Sequence, residues 1–472
     1  MFWNRMTAGL VMLGLVAGPA IATEDGQTRQ KIEALERQQQ HFSDELRRLR
    51  EELEKAAPAH VEEVERRQGI MTEELRRLRE ALILPETKEL KSAYGLGPAA
   101  SKVYGIQRGL SIGGYGETNF RTAVSDKTGT RDEFDFLRFV LYVGYKYNDW
   151  IVLNSEIEFE HATTESTVSS GDGSVSVEFA TVDFLLHTAV NARAGMVLVP
   201  MGFINEIHEP PFFHGNVRPQ VEQQIIPSTW RANGFGLFGE PLPGLQYRTY
   251  GITSLNAKGF AATNLREARQ SGNRERADDW SWVGRVDYAF IPQFTLGGSA
   301  LLGDQGQDQA YGNPDDGFAK PGVFTQIYEA HAEGRTHGLE IRLLGAYIDV
   351  DDADQLSRDT KILEETKNTA IAEVLLGGYG EIAYDVMPLI WPGTTHYLAP
   401  WFRYSWIDTQ NAVPSNLPAG VQRDPGQRRE IYEVGLSYKP IPQVVFKLDY
   451  RAQDKRDGAL PDEIRLGGGF VF

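Results

Sequence analysis

Three groups of residues have types and spacing that could do chemistry. The first is an acidic row, Glu156, Glu158 and Glu160, at alternate positions and preceded by Arg138 and Lys146. On a strand, alternate residues share a face, so these charges look into one common space. Basic residues recur at matching strand positions as Arg193, Arg285, Arg342, Arg403, Lys447 and Arg465. Such a wall holds water and ions and lets neighbouring strands pair their charges. The acidic row either selects cations or simply pairs with basic neighbours. The second group lies in the long polar stretch Pro200–Asn233, where Glu206, Glu209 and Glu222 mix with Arg218 and Arg231. The third is His208, Glu209 and His214. Its spacing matches no helical ligand pair, and Pro210-Pro211 prevents a helix, so no metal site is expected. Gly113–Glu117 and Gly377–Glu381 share the pentapeptide GGYGE. It lacks the Lys-Ser/Thr of a phosphate loop and lies inside strand alternation, which points to close backbone approach in a curved sheet. No nucleophile–base pair stands out, so neither an enzyme nor a cofactor is expected.

The elements that must position these residues are strands. From Leu137 to Tyr147, and again from Ile151 to Phe159, apolar and polar residues alternate on either side of Asn148-Asp149-Trp150. This is the pattern of an antiparallel hairpin. Similar runs recur to the end of the chain and give sixteen strands between Gly109 and Phe472, the weakest at Gly234–Gly239. Their connections alternate between tight turns and long polar loops such as Leu265–Asp279, Gln305–Gly322 and Asp351–Thr369. Aromatics cluster beside the tight turns, at Tyr145, Tyr147 and Trp150, at Tyr288, Phe290 and Phe294, and at Trp391, Tyr397 and Trp401. The chain ends on an aromatic strand, Leu466, Gly468, Phe470 and Phe472. Together these predict an all-β transmembrane barrel with its apolar face to lipid and its charged face to a wet lumen. On that reading Leu141→Arg should harm assembly, and Val140→Arg, facing the lumen, should be milder.

The 472 residues carry a net charge of −17, which argues against nucleic acid as a partner, and include no cysteine, which excludes disulfides and thiolate sites. Residues 1–22 read as a secretory signal: Arg5, an apolar run from Ala8 to Val16, then Ala20-Ile21-Ala22. Residues 23–91 carry two heptad seams, Ile32 to Leu53 and Val61 to Leu82, with Gln39 and Gln68 at a positions. They read as an α-helical coiled coil, a solvated single helix being the plainer alternative. Residues 92–108 read as a linker, and 109–472 as the barrel.

Residues 109–472 resemble the phosphate-selective porin O and P superfamily. The resemblance rests on the hairpin FVLYVGYKYNDWIVLNSEIEFE, on ARAGMVLVPMGFINE leading into the long third loop, and on the closing aromatic strand. It implies a homotrimeric porin in the bacterial outer membrane, surrounded by outer-membrane lipid, with the coiled coil in the periplasm. Small hydrophilic solutes and ions would diffuse passively through a water-filled barrel narrowed by the third extracellular loop. The mixed charges of that loop depart from the dense Arg/Lys ladder of phosphate-selective members, so phosphate selectivity is not carried over. The alternative is a non-conducting barrel that anchors a periplasmic coiled-coil tether.

Overall fold

The computed structural model describes residues 91–472 except 125–131, 164–172, 316 and 456–459, together with a few isolated helical positions between His41 and Glu73. The signal and most of the coiled-coil seams therefore lie outside the described residues. The compact unit Glu89–Phe472 holds the barrel.

Its wall is β1 (Gly109–Ala123), β2 (Glu133–Lys146), β3 (Ile151–Glu160), β4 (Ser174–His187), β5 (Val190–Leu198), β6 (Arg231–Leu242), β7 (Leu245–Thr253), β8 (Trp280–Ile291) and β9 (Phe294–Asp304). After a small loop hairpin of β10 (Tyr311–Asn313) and β11 (Gly317–Ala319), the wall continues. It resumes with β12 (Phe324–Thr336), β13 (Leu339–Val350), β14 (Val374–Tyr384), β15 (Tyr397–Ala412), β16 (Arg428–Ile441), β17 (Val444–Lys455) and β18 (Glu463–Val471). Sixteen of these strands form one closed antiparallel barrel in which each pairs with its neighbours in sequence and β1 pairs with β18. Closure runs through Tyr115 opposite Val471, and Gly114 and Phe472 exchange both backbone hydrogen bonds, at 3.0 and 2.9 Å. Every strand of the barrel wall thus has a partner on both sides, which a sheet in hydrocarbon requires. The weakest expected strand is the most extended relative to its prediction: β6 runs from Arg231 to Leu242.

Alternation sets the two faces as expected. Leu110, Phe235, Trp282, Leu343, Phe402, Val434, Phe446 and Leu466 lie exposed on the outer face and give the apolar band that lipid would cover. Tyr145, Tyr147, Trp150, Tyr288, Phe290 and Trp391 are also exposed, as an interfacial girdle needs. Trp401 departs from that expectation. It faces inward, is buried, and stacks on His214 with ring centroids 6.0 Å apart.

Much of the inner face is covered by the chain itself, whereas Arg335 stays exposed and Glu340 half-buried at the short-turn end. Val140, Glu156, Asp183, Tyr115, Arg403 and Ser405 are all fully or nearly fully buried. Two segments cover them. One is the third long loop, 199–230, folded into the barrel. The other is the stretch expected as a linker, 92–108, which forms helix α1 (Pro98–Gly105) with Pro98, Ala99, Ala100 and Val103 buried. Towards the long-loop end the filling is apolar. Met201, Val221, Ile225, Ile226 and Trp230 of the third loop pack with the wall residues Tyr250, Leu301, Ile327, Ile348 and Ile407. Phe260, Leu265, Tyr311, Leu356 and Ile362 of the later long loops join the same cluster.

Candidate functional site: the filled lumen

The repeated GGYGE shows how the wall admits its filling. In both copies the first glycine, the tyrosine and the glutamate fall on the inner face. A Cβ on Gly113 would stand 2.6 Å from the Ala99 carbonyl oxygen of α1, and one on Gly377 would stand 2.8 Å from Ile225 Cγ1 of the third loop. Each glutamate holds an arginine of the next strand: Glu117 lies 2.8 Å from Arg138, and Glu381 lies 2.5 Å from Arg403. Close backbone approach is thus the role of both motifs, and what approaches is the filling rather than a neighbouring strand. Gly144 and Gly469 do the same for Val103 and Pro210.

Helix α1 is fixed by polar contacts along its length. Glu209 Oε1 accepts from the backbone N–H of Ala99 and Ala100 at 3.0 and 3.4 Å, which satisfies orphan donors where the helix dipole favours an anion. Asn154 Nδ2 donates to Ala100 O at 2.9 Å, and Tyr104 Oη donates to Asp183 at 2.6 Å. Lys146 Nζ donates to Ile106 O at 2.8 Å. One buried chain of bonds therefore joins wall, loop and helix.

The wall cations grip the third loop by its backbone carbonyls. Arg285 donates to Gly202 O, Lys439 to Pro211 O at 2.6 Å and Arg342 to Phe212 O at 3.4 Å. Arg403 donates to His214 O at 2.7 Å and Lys447 to Gly215 O at 2.9 Å. Asp449 accepts from the backbone and side chain of Asn216 at 2.8 and 2.6 Å. Three of these cations, Arg285, Arg342 and Arg403, are also ion-paired along the wall, as are Arg193 and Arg465. Arg193 meets Asp183 at 2.7 Å, Arg285 meets Asp287 at 2.8 Å and Arg342 meets Glu333 at 2.9 Å. Arg403 bridges Glu381 and Glu433, and Arg465 bridges Glu433 and Asp449 at 2.6 and 2.5 Å. Buried charges persist only when paired, and removing one partner of such a pair costs about 3–5 kcal/mol.

In the acidic row, Glu158 pairs with Arg138 at 3.0 Å and Glu156 faces His208 at 3.1 Å. Glu160 is half-buried and accepts from Ser174 Oγ at 3.2 Å. In the loop, Glu206 lies 3.4 Å from Arg248, and Arg231, at the start of β6, pairs with Glu178 at 3.2 Å. Glu222 accepts from Tyr379 Oη and the Ile204 N–H, both at 2.7 Å; burial pushes its carboxyl up, against those two bonds. Arg218 is buried and its Nη2 makes no hydrogen bond. The residues His208, Glu209 and His214 do not converge. His214 bonds Ser437 at 3.0 Å, and Glu209 caps α1. His208 instead meets two wall carboxylates, Glu156 and Glu178. Sequence reasoning missed Glu178 as a partner of His208 because the two lie on separate elements. Periodicity gave no signal for the carbonyl–cation contacts either, since a backbone acceptor has no residue type.

The closed sixteen-stranded wall, its outward apolar band and its inward ionic face define an outer-membrane β-barrel. No family model matches the chain, that of the phosphate-selective porins included. Over 398 residues it is 34% identical to an uncharacterized protein of Aquifex aeolicus (strain VF5), across 83% of this chain and 86% of that one, and it belongs to that protein's family. Among solved structures it is similar to Salmonella typhi OmpF, at 11% identity over 77% of this chain and 98% of that one, with a TM-score of 0.49. For the outer membrane channel DcaP of Acinetobacter baumannii the values are 11%, 77%, 97% and 0.47. For an anion-selective porin of Comamonas acidovorans they are 12%, 78%, 100% and 0.46.

Proposed function

We propose that the protein is an outer-membrane porin for small hydrophilic solutes and ions, held closed in this conformation by loop 199–230 and helix α1. The observation that carries this reading is the division of labour in the lumen. The wall closes on itself through β1 and β18, while the filling that spans the inner half is one loop and one short helix tied on largely by hydrogen bonds and ion pairs, with apolar packing in the outer half. Those ties can exchange for water without opening a sheet edge, so the filling can move while the barrel stands. Once it moves, ionisable side chains line the space. The third loop in this proposal closes the barrel and does not merely narrow it.

The apolar cluster in the outer half favours a second reading, a non-conducting barrel that anchors a tether. Re-exposing each large buried side chain costs about 1.5–3 kcal/mol, so clearing that half entirely would be expensive. Planar-bilayer recordings separate the two. The purified protein should give infrequent conductance steps, and deletion of residues 94–106 should make them frequent. Silence from both proteins, with the barrels still folded, would favour the anchor.

The proposal extends to the rest of the chain. Residues 1–22 are a signal peptide and 23–91 a periplasmic coiled coil that supports a homotrimer, as the heptad seams suggest; cross-linking of the intact and truncated chains tests this. Kinship with the phosphate-selective superfamily remains part of the proposal, without phosphate selectivity.

A further inference from the structure

We infer that Glu156, Glu178 and His208 form a binding site for a first-row divalent cation, zinc being the best fitted, which clamps the third loop to the wall between β3 and β4. The inference stands whether or not the barrel conducts. One ligand atom from each of the three residues lies within 4.8 Å of the others, and all three residues are buried. His208 Nε2 stands 3.1 Å from Glu156 Oε1 and 3.5 Å from Glu178 Oε2. Donors about 2.0–2.1 Å from a tetrahedral zinc stand about 3.3 Å apart, between these two separations.

Two further observations point to a ligand rather than to a plain ion pair. Glu156 Oε2 is buried without a hydrogen-bond partner on a side chain that is 0% exposed, and Glu178 Oε2, on a side chain 1% exposed, has only the 3.5 Å contact with His208. Buried carboxylate oxygens are rarely left so, because each bears a desolvation cost with nothing to offset it. His208 Nδ1 lies 3.2 Å from Asn205 O, a contact that fixes the ring and turns the Nε2 lone pair to the carboxylates, as the outer contact of a ligating histidine does. Imidazole with two carboxylates suits zinc among the first-row ions, and the chain has no cysteine to compete for it.

The test uses tag-free, full-length protein folded in detergent, stripped with EDTA and titrated with Zn2+ against a chromophoric chelator. Binding of about one Zn2+ per chain is expected, with Glu178→Gln and His208→Gln each weakening it by about tenfold or more. Glu160→Gln, on the same strand but outside the cluster, should bind as the wild type. X-ray absorption at the zinc edge of the wild-type protein should show one imidazole and otherwise oxygen ligands, which keeps the test decisive if a variant misfolds. No binding at micromolar Zn2+, undiminished binding by both variants, or a spectrum of several imidazoles would each overturn the site.

Discussion

Val140 and Leu141 are adjacent on β2 and point to opposite sides of the wall, so a charge at each reports on a different solvent. Leu141 looks out, where an arginine near the bilayer midplane costs about 2–4 kcal/mol. If the lumen were wet, arginine at Val140 would cost little. In the folded chain Val140 is 0% exposed and packs in one cluster with Leu96, Ala99 and Ala100 of the helical segment, and with Tyr115, Tyr142 and Phe179 of the wall. Its cross-strand neighbour Glu158 is already taken by Arg138. An arginine there must overpack the cluster, at about 1–3 kcal/mol, and leave an unpaired buried charge, at about 3–5 kcal/mol. Val140→Arg should therefore destabilise by about 4 kcal/mol or more, at least as much as Leu141→Arg, which reverses the order read from the sequence. Urea titration of the refolded barrels in lipid vesicles, followed by tryptophan fluorescence, measures the difference, and Val140→Ala serves as a mild control. A Val140→Arg barrel as stable as the wild type would show that the inner face is solvated and would refute the filled lumen.

Gly113→Val and Gly377→Val should each loosen one segment of the filling and leave the wall intact, because their added atoms meet Ala99 O and Ile225. Limited proteolysis should then cut within 92–108 for the first and 199–230 for the second, and an unchanged pattern would dismiss the contact. A cysteine at Asp352 should react with an impermeant thiol reagent on whole cells and one at Asp149 should not, since these positions lie at opposite ends of the barrel; the reverse labelling would invert the topology. Asp359 accepts from Lys258 Nζ at 2.7 Å, from Gly312 N at 3.1 Å and from Ile362 N at 3.2 Å, tying together three of the long loops. Partial burial opposes its charge, but those bonds hold its carboxyl below the usual range. Its contribution is therefore present above the ordinary aspartate pKa of about 3.9 and lost as pH falls below it. Loop protection from protease should fall in that acid window, and Asp359→Asn should show the loss already at neutral pH.

The strand count, the two faces and the long/short asymmetry of the connections were all legible in the sequence. Each follows from a period of two and from turn chemistry, which are local properties, and the closed barrel is the way such strands leave no edge in lipid. The inward direction of Arg138, Arg193, Arg285 and Arg403 was legible for the same reason. What those residues touch was not. Alternation tells which way a side chain points and says nothing about whether water or another segment stands opposite. That Gly113 and Gly377 make room for a helix and a loop, that 92–108 is packed filling rather than spacer, and that Trp401 turns from the expected girdle to His214 all depend on contacts between distant parts of the chain. The same holds for His208. Its sequence neighbours suggested no ligand set, because its partners Glu156 and Glu178 arrive from two strands of the wall and meet it only when the third loop folds inside. A short-range code sets the shape of the enclosure, and only long-range packing decides whether it is empty.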